Sequence, residues 1–502
     1  MKTFDIVIVG SGMGGMICAA LLGKEGYKVC ILEKNRQIGG SLQTYVRDRV
    51  IFDSGVHYIG GLEKGQNLYQ IFKYLGMMEH LHLIKMDDVF DKILFYGDDT
   101  EYCYAQGYEN FIQKLLINFP DEEKALHIYC DTIKHICSKF PLYNLRNSAG
   151  WDEKAGVLEI DTKSFVDSLT TNLRLREVLV GNNALYVGQA DKTPLYVHAL
   201  VLNSYIESSW KCVDGGSQIS KVLSKIIRGY GGEIHRNAEV KKIVEEEGRV
   251  TYVELADSSR VYGKNFISNI HPVKTLEITQ TNLFKKAYRN RINSLENSIS
   301  SFTLNIVFKK NTFRYFKHNY YIFKQGTAWT GGDYTQGNWP LGYAVFLAYS
   351  SRSPDYAMGM TILAYMRYEE VKQWENTFNT VSTKNDRGNN YDQFKIKKAE
   401  TLLDKVEEKF PGLRSCIKTY YTATPLSYRD YIGTEDGSLY GIVKDYKSPL
   451  NTFISPRTKL PNLYLTGQNL NLHGILGVSM SGLVTCSYFV DGNQLIEKIR
   501  NA

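Results

Sequence analysis

Nowhere in the 502 residues do about 18 apolar residues run together, the length a bilayer-spanning helix needs. A spanning helix is therefore not expected, although a helix lying in a membrane surface is compatible with the pattern. Cysteine is sparse as well. Cys18, Cys30, Cys103, Cys130, Cys137, Cys212, Cys416 and Cys486 are scattered with no CxxC pair, which excludes a disulfide-stapled secreted scaffold and points to a reducing compartment. The opening MKTFDIVIVGSG has too short an apolar run for an export signal, so a cytoplasmic location is expected. An excess of one charge is also missing. Sixty Lys plus Arg against 53 Asp plus Glu leave a formal charge of +7 with no long basic block, so nucleic acid is not an expected partner. His80 and His82 form an HxH without a third ligand in sequence, and no metal site is expected.

What is present is a chain that is 43% apolar and long enough for about three domain equivalents or one large two-lobed enzyme. It carries 36 tyrosines, which suit a large apolar cavity or, more commonly, stacked aromatics in a core.

Residues 5–9 (DIVIV) read as a strand buried on both faces of a parallel sheet. Gly10, Gly12 and Gly15 follow in a GxGxxG that includes Gly14, then a small-residue helix over 16–24 and a second strand over 27–32 ending in Glu33. The residue types fit dinucleotide binding. The first glycine permits the turn, the second lets the backbone approach a pyrophosphate, and the third packs the helix on the strand. The helix N-terminus then faces the phosphates, and a carboxylate at Glu33 can accept ribose hydroxyls while disfavouring a 2′-phosphate. FAD or NAD fits that better than NADP. Gly39-Gly40, just past the acid, resembles the extended fingerprint of glutathione-reductase-like flavoproteins and amine oxidases, and that resemblance implies FAD. No second GxGxxG stands between a strand and a helix, so one dinucleotide is expected, with electrons exchanged with an external donor or acceptor.

Residues 68–206 read as helical, residues 218–228 as an amphipathic helix closed by Gly231-Gly232, and residues 233–236, 239–245 and 250–255 as short strands followed by an apolar run at 265–270. Strands at 302–308, 343–348 and 361–366 and a long charged helix at 392–409 fill the later half, with a mobile loop expected at 384–390. Residues 309–324 interleave basic and aromatic residues. They suit either a surface resting on a membrane or, more commonly, a strand pair with one solvated face. Near the end, a strand at 462–466 leads into Gly467-Gln468-Asn469, His473-Gly474 and Gly477, and then a small-residue helix.

VIVGSGMGG with Glu33 and Gly39-Gly40, FDSGVHYIGG at 52–61, GGSQISKVL with GGEIHRNAEVKKI, and LYLTGQNLNLHGILG together resemble the FAD-dependent phytoene desaturase superfamily. The resemblance is to the branch that contains retinol saturases (all-trans-retinol 13,14-reductases) and carotenoid isomerases. It implies an α/β fold: a Rossmann-like FAD-binding lobe of the glutathione-reductase and amine-oxidase type, interleaved with a mixed α+β substrate lobe. The flavin lobe would be assembled from 1–65, 212–272 and 450–502, and the substrate lobe from 66–211 and 273–449. The cofactor-binding residues it implies are Gly10, Gly12, Gly14, Gly15, Glu33, Lys34, Gly39, Gly40, Ser41, Val240, Gly467, Gln468 and Gly477. One departure stands out: the family commonly has an acid near Gln468-Asn469.

The implied activity is oxidoreduction or isomerisation at carbon–carbon bonds of a hydrophobic polyene or other long isoprenoid, with an external electron donor or acceptor and a peripheral membrane contact. His57 and Tyr58 are the candidate catalytic residues, followed by Tyr431 and His473. For each of these a hydrogen-bonded packing role is the commoner one. An amine-oxidase-like flavoenzyme and a prenyl-lipid carrier on the same fold are the alternatives.

Overall fold

The computed structural model describes residues 2–147, 152–381, 383 and 387–502. Its first sheet is built where the sequence is richest in β-branched residues. Strand Thr3–Val9 lies between Val29–Leu32 and Arg260–Ser268, all parallel, and Glu233–His235 extends the sheet beyond Val29–Leu32. Ile6, Val7 and Ile8 are wholly buried because both faces of this strand are covered, Ile6 and Ile8 by helices and Val7 by a second core that includes Ile243, Val250 and Val253. Arg260–Ser268 changes partner along its length. Its first half pairs antiparallel with Arg249–Leu255, and its second half pairs parallel with Leu463–Leu465. The C-terminal strand is thereby placed beside the N-terminal one, with a single strand between them. Val240–Glu246 and Thr279–Gln280 complete that edge.

The helix Met13–Lys24 is buried from Met13 to Gly23, which is why its composition is small and apolar all round. It packs between the amphipathic helix Ser217–Gly229 and the C-terminal helix Gly474–Cys486, and Met16, Ile17, Leu21, Ile219, Leu223 and Leu483 share one core. Truncating one of these to alanine would cost about 2–5 kcal/mol.

The second sheet has seven strands in the order Ile417–Ala423, Ser300–Phe308, Gly359–Met366, Gly342–Leu347, Asn319–Phe323, Val89–Phe95 and Asp98–Ala105. Only Asn319–Phe323 against Val89–Phe95 is parallel. All nine residues of Ser300–Phe308 are buried. The long helix Asn389–Lys409 covers one face with Leu402, Leu403 and Val406, and the helices between Tyr108 and Glu207 cover the other.

Two expectations need correction. Residues 68–206 are not helical throughout, since Leu83–Lys85, Val89–Phe95 and Asp98–Ala105 are strands. The turn residues Tyr96 and Gly97 close a hairpin whose inward positions are mostly apolar, and that tertiary burial outweighs the helical spacing on either side. The basic and aromatic stretch 309–324 is likewise not a hairpin of its own. It holds one wholly buried strand of the larger sheet, Asn319–Phe323, while Phe313, Phe316 and Tyr320 stack around Phe410. Of the loop expected at 384–390, residues 384–386 lie outside the described residues, and the helix Asn389–Lys409 starts inside it. Among the described residues no helix is long and apolar enough to cross a membrane.

Candidate functional site

A cavity of about 380 Å³ opens between the two sheets, and the glycine turns of both chain ends meet at one end of it. Gly10 leaves the first strand with φ +93°, a conformation that a Cβ would strain. A methyl group added at Gly14 would lie 2.9 Å from Gly467 Cα and 2.9 Å from the Asn269 side-chain oxygen, so the amino-terminal and carboxy-terminal turns touch backbone to backbone. Asn269 stands between them. Its amide nitrogen is 3.4 Å from the Gly10 carbonyl, and its side chain would also crowd a Cβ at Gly12 or Gly467. In sequence this residue lies within the apolar run 265–270; its signal there is a polar amide at the carboxyl end of a parallel strand, where ligands of open α/β sheets bind.

Two helices present bare N-termini to this end of the cavity. Met13–Lys24 begins at Gly12 and Gly474–Cys486 at His473, and neither has a side-chain cap. Their free N–H groups and dipoles favour an anion by about 0.3–1 kcal/mol each.

Glu33 is buried at the end of the second strand. Its Oε2 accepts from the Ser11 backbone N–H at 3.0 Å and from the Ser11 hydroxyl at 2.5 Å, and its Oε1 accepts from the Asn35 N–H at 2.8 Å. A carboxylate offers about four lone-pair sites, so about one remains for a ribose hydroxyl rather than the pair expected from sequence. The Ser11 hydroxyl also accepts from the Gly39 N–H at 3.0 Å, tying the second glycine pair to the first turn.

Behind this end, Asp53 accepts from the Gly216 N–H at 2.6 Å at the start of helix Ser217–Gly229, and burial pushes its carboxyl up to about 7. The carboxy-terminal turn is anchored by Lys444. Its ammonium donates to the carbonyls of Thr452, Asn469 and Leu470 at 2.9, 3.1 and 3.0 Å, and burial lowers it to about 7. Asn469 itself accepts from the Ile442 N–H at 3.1 Å.

Gly10, Gly12, Gly14, Glu33, Lys34, Gly39, Gly40, Ser41, Val240, Gly467, Gln468 and Gly477 all line the cavity, whereas Gly15 lies behind its wall against the Gly10 carbonyl. His57, Tyr58, Tyr431 and His473 line it too. The His57 ring stacks on Phe346 at 4.3 Å between centroids, and burial lowers its pKa to about 3, so it is neutral at physiological pH. Tyr58 packs against Tyr205 at 4.4 Å and donates its hydroxyl proton to Asp91 at 2.8 Å. His473 stacks on Tyr440 at 4.3 Å, and one of its ring nitrogens is 2.9 Å from the Leu185 carbonyl. The Tyr431 hydroxyl is taken up by the Val381 N–H at 2.9 Å. Beyond His57 the wall is Tyr205, Tyr321, Phe346, Leu363 and Leu472, and the acids lining the cavity, Glu33 and Glu239, stand at the glycine end. Asp91, Tyr321, Lys211 and Lys444 were missed in the sequence; a single acid inside the apolar run Val89–Phe95 was the one visible sign.

Comparison with known proteins agrees with this geometry. A profile described as an NAD(P)-binding Rossmann-like domain matches residues 8–75. The all-trans-retinol 13,14-reductase of Danio rerio is 26% identical, aligned over 97% of this chain and 85% of its own. The chloroplastic prolycopene isomerase of Daucus carota is 24% identical over 99% of this chain and 81% of its own. The family resemblance read from the motifs holds. Among solved structures, a CLA-producing fatty acid isomerase from P. acnes superposes with TM-score 0.62 at 13% identity, covering 98% of this chain and 100% of that one. These findings support an enzyme of the FAD-type oxidoreductase or isomerase class with a Rossmann-like α/β fold. FAD fits the residues present: a glycine cradle with two bare helix ends for the pyrophosphate, a buried acid for the ribose, and a cavity that continues past both.

Proposed function

We propose that this protein is an FAD-dependent enzyme that reduces or isomerises carbon–carbon double bonds of a long apolar polyene of the retinoid or carotenoid type. The observation that carries the reading is the character of the cavity beyond the glycine cradle. Its wall is aromatic and aliphatic, and its acids stand at the nucleotide end, so a neutral, extended, unsaturated chain is the ligand it accommodates best. An amine substrate would bring a cation with no carboxylate to meet it there. The relatives named for retinol and prolycopene chemistry support the same reading.

In this reading Gly10, Gly12, Gly14, Gly467, Gln468 and the two helix N-termini hold the pyrophosphate, and Glu33 holds a ribose hydroxyl. Bound FAD supplies two-electron transfer to or from a carbon of the substrate. Asn269 and Lys444 fix the spacing of the two turns. His57, neutral and stacked on Phe346, forms part of the channel wall, and Tyr58 handles the proton. The flavin lobe comprises 1–65, 212–272 and 450–502, with 66–211 and 273–449 forming the substrate lobe. An external two-electron carrier completes the cycle, and the protein works in the cytoplasm with a peripheral membrane contact through which a lipid-soluble substrate enters. The test is to load the purified protein with FAD and supply all-trans-retinol or a poly-cis-carotene anaerobically with excess dithionite. A product two mass units heavier signifies saturation, and an isomer of equal mass signifies isomerisation. Recovery of unchanged polyene from an FAD-loaded protein refutes the proposal.

A further inference from the structure

Set into the aromatic wall is a buried polar cluster that the glycine cradle does not use. Asp91 sits in the middle of strand Val89–Phe95 and is wholly buried, with Phe90 and Ile93 in the core beside it. Its Oδ1 accepts from the Asn319 amide at 2.9 Å, and its Oδ2 accepts from the Tyr58 hydroxyl at 2.8 Å and the Asn182 amide at 3.3 Å. The parallel register sets Asn319 directly opposite Asp91 and puts Tyr321, two residues further on, on the same face. The Tyr321 and Tyr58 hydroxyls are 2.8 Å apart. Both tyrosines line the cavity and Asp91 does not. An unbroken chain of hydrogen bonds therefore runs from a sequestered carboxyl through two phenols to the cavity surface.

A carboxyl in this position costs stability that an aliphatic residue would not. The titratable groups acting on the chain are Lys211 on Ser209–Cys212, Tyr205 and Tyr440, with Asp53 and Asp87 acting on Lys211. Lys211 is itself buried and donates to the Leu347 carbonyl at 3.0 Å; it makes no ion pair among the described residues. The cluster thus holds ionisable groups with no charge partner in contact, an arrangement characteristic of functional sites.

We propose that Asp91, Tyr58 and Tyr321 are the proton relay of this cavity: the phenol pair exchanges a proton with a carbon of the bound substrate, and Asp91 is the positioning residue that orients the pair and stores the proton. The proposal deepens the polyene reading and rests on it. In the saturating direction one alkene carbon receives a hydride, whose two electrons come by way of the cofactor from an external donor of the dihydronicotinamide or dithionite class. The neighbouring carbon receives a proton. A phenol O–H bond breaks as the new C–H bond forms, the phenol takes its proton back along the chain, and Asp91 is left as a carboxylate until solvent reprotonates it. Burial raises the Asp91 carboxyl to about 6 against the pull of its amide and phenol donors, so both of its forms are reached near neutrality.

The test has two arms on FAD-loaded protein. Infrared difference spectra between about pH 4 and about pH 8 should contain a protonated-carboxyl band that titrates near 6, is lost in Asp91→Asn, and is shifted in Tyr58→Phe and Tyr321→Phe. Turnover of retinol with dithionite in D2O should place two carbon-bound deuteriums in the product, because both added hydrogens come from solvent, and Tyr321→Phe and Asp91→Asn should slow it by about 10²–10⁴-fold without changing FAD affinity. Turnover unchanged in both variants, or a carboxyl band indifferent to both tyrosines, overturns the relay. If the wild type converts no polyene, the functional reading falls and the infrared arm alone decides the relay. Should Asp91→Asn fail to fold, Tyr321→Phe, which removes a single oxygen from the cavity wall, carries both readouts.

Discussion

Replacing Gly14 by alanine tests whether the two ends of the chain really form one cradle. The new Cβ would stand 2.9 Å from Gly467 Cα, 2.9 Å from the Asn269 oxygen and 3.1 Å from the Gly467 nitrogen. Two of those three atoms are backbone and cannot swing aside. Carbon contacts are comfortable at about 3.5–4.0 Å, so the turns must part by roughly 0.6–1 Å. Overpacking of this kind costs about 1–3 kcal/mol. That cost divides between the fold and the cofactor. If the cofactor-free protein relaxes by opening the cradle, FAD affinity falls by about 5–150-fold, taking 1.4 kcal/mol per tenfold. If it cannot relax, the loss appears instead as a lower unfolding free energy. Calorimetric titration of deflavinated protein with FAD, paired with thermal melts without cofactor, measures both shares. Gly229→Ala, at a helix end with open space around its Cα, is the control and should retain wild-type affinity. A Gly14→Ala protein with unchanged affinity and an unchanged melting temperature would refute the contact between the two turns on which the cofactor site depends.

Glu33→Gln should weaken FAD binding by about 1–3 kcal/mol, because the buried amide turns a donor toward either Ser11 or Asn35 where an acceptor is needed; the same titration reads it. Lys444→Met gives a pH-dependent stability difference. The folded pKa of about 7 lies below the unfolded value, so the unfolded chain binds more protons between about pH 7 and about pH 10 and the wild type gains stability as pH rises through that window. Melts at both ends of the window should show the wild type improving relative to the variant at the alkaline end; a constant difference contradicts this. His57→Phe should retain polyene turnover with the same pH profile, since the neutral ring serves as wall against Phe346. Loss of turnover in that variant, measured by product mass, would make His57 the proton-handling group in place of Tyr58.

The cofactor end was the most legible part in sequence. A β-branched run, three glycines at fixed spacing and an acid at the next strand end are local constraints: each follows from a backbone conformation or a close approach that few residue types allow. The substrate end is less legible in the sequence. The strands Val89–Phe95 and Asp98–Ala105 were hidden among helical spacings, and with them Asp91, whose meaning depends on a parallel register with Asn319–Phe323. Tyr58 could be singled out from its motif, but its partners Asp91 and Tyr321 could not.

The sequence by itself determined a strand, glycine turn and helix of the dinucleotide-binding pattern near residue 10, because steric exclusion of side chains is written into the order of residues. Tertiary structure alone decided that Gly467 closes that turn from the other end of the chain, that Asn269 wedges between the two, and that Asp91, Tyr58 and Tyr321, far apart in sequence, join at the cavity wall. Contacts of that kind depend on which strands lie side by side and in what register. Those choices are settled by burying the apolar faces of whole sheets and helices together, and no short stretch of the chain carries them.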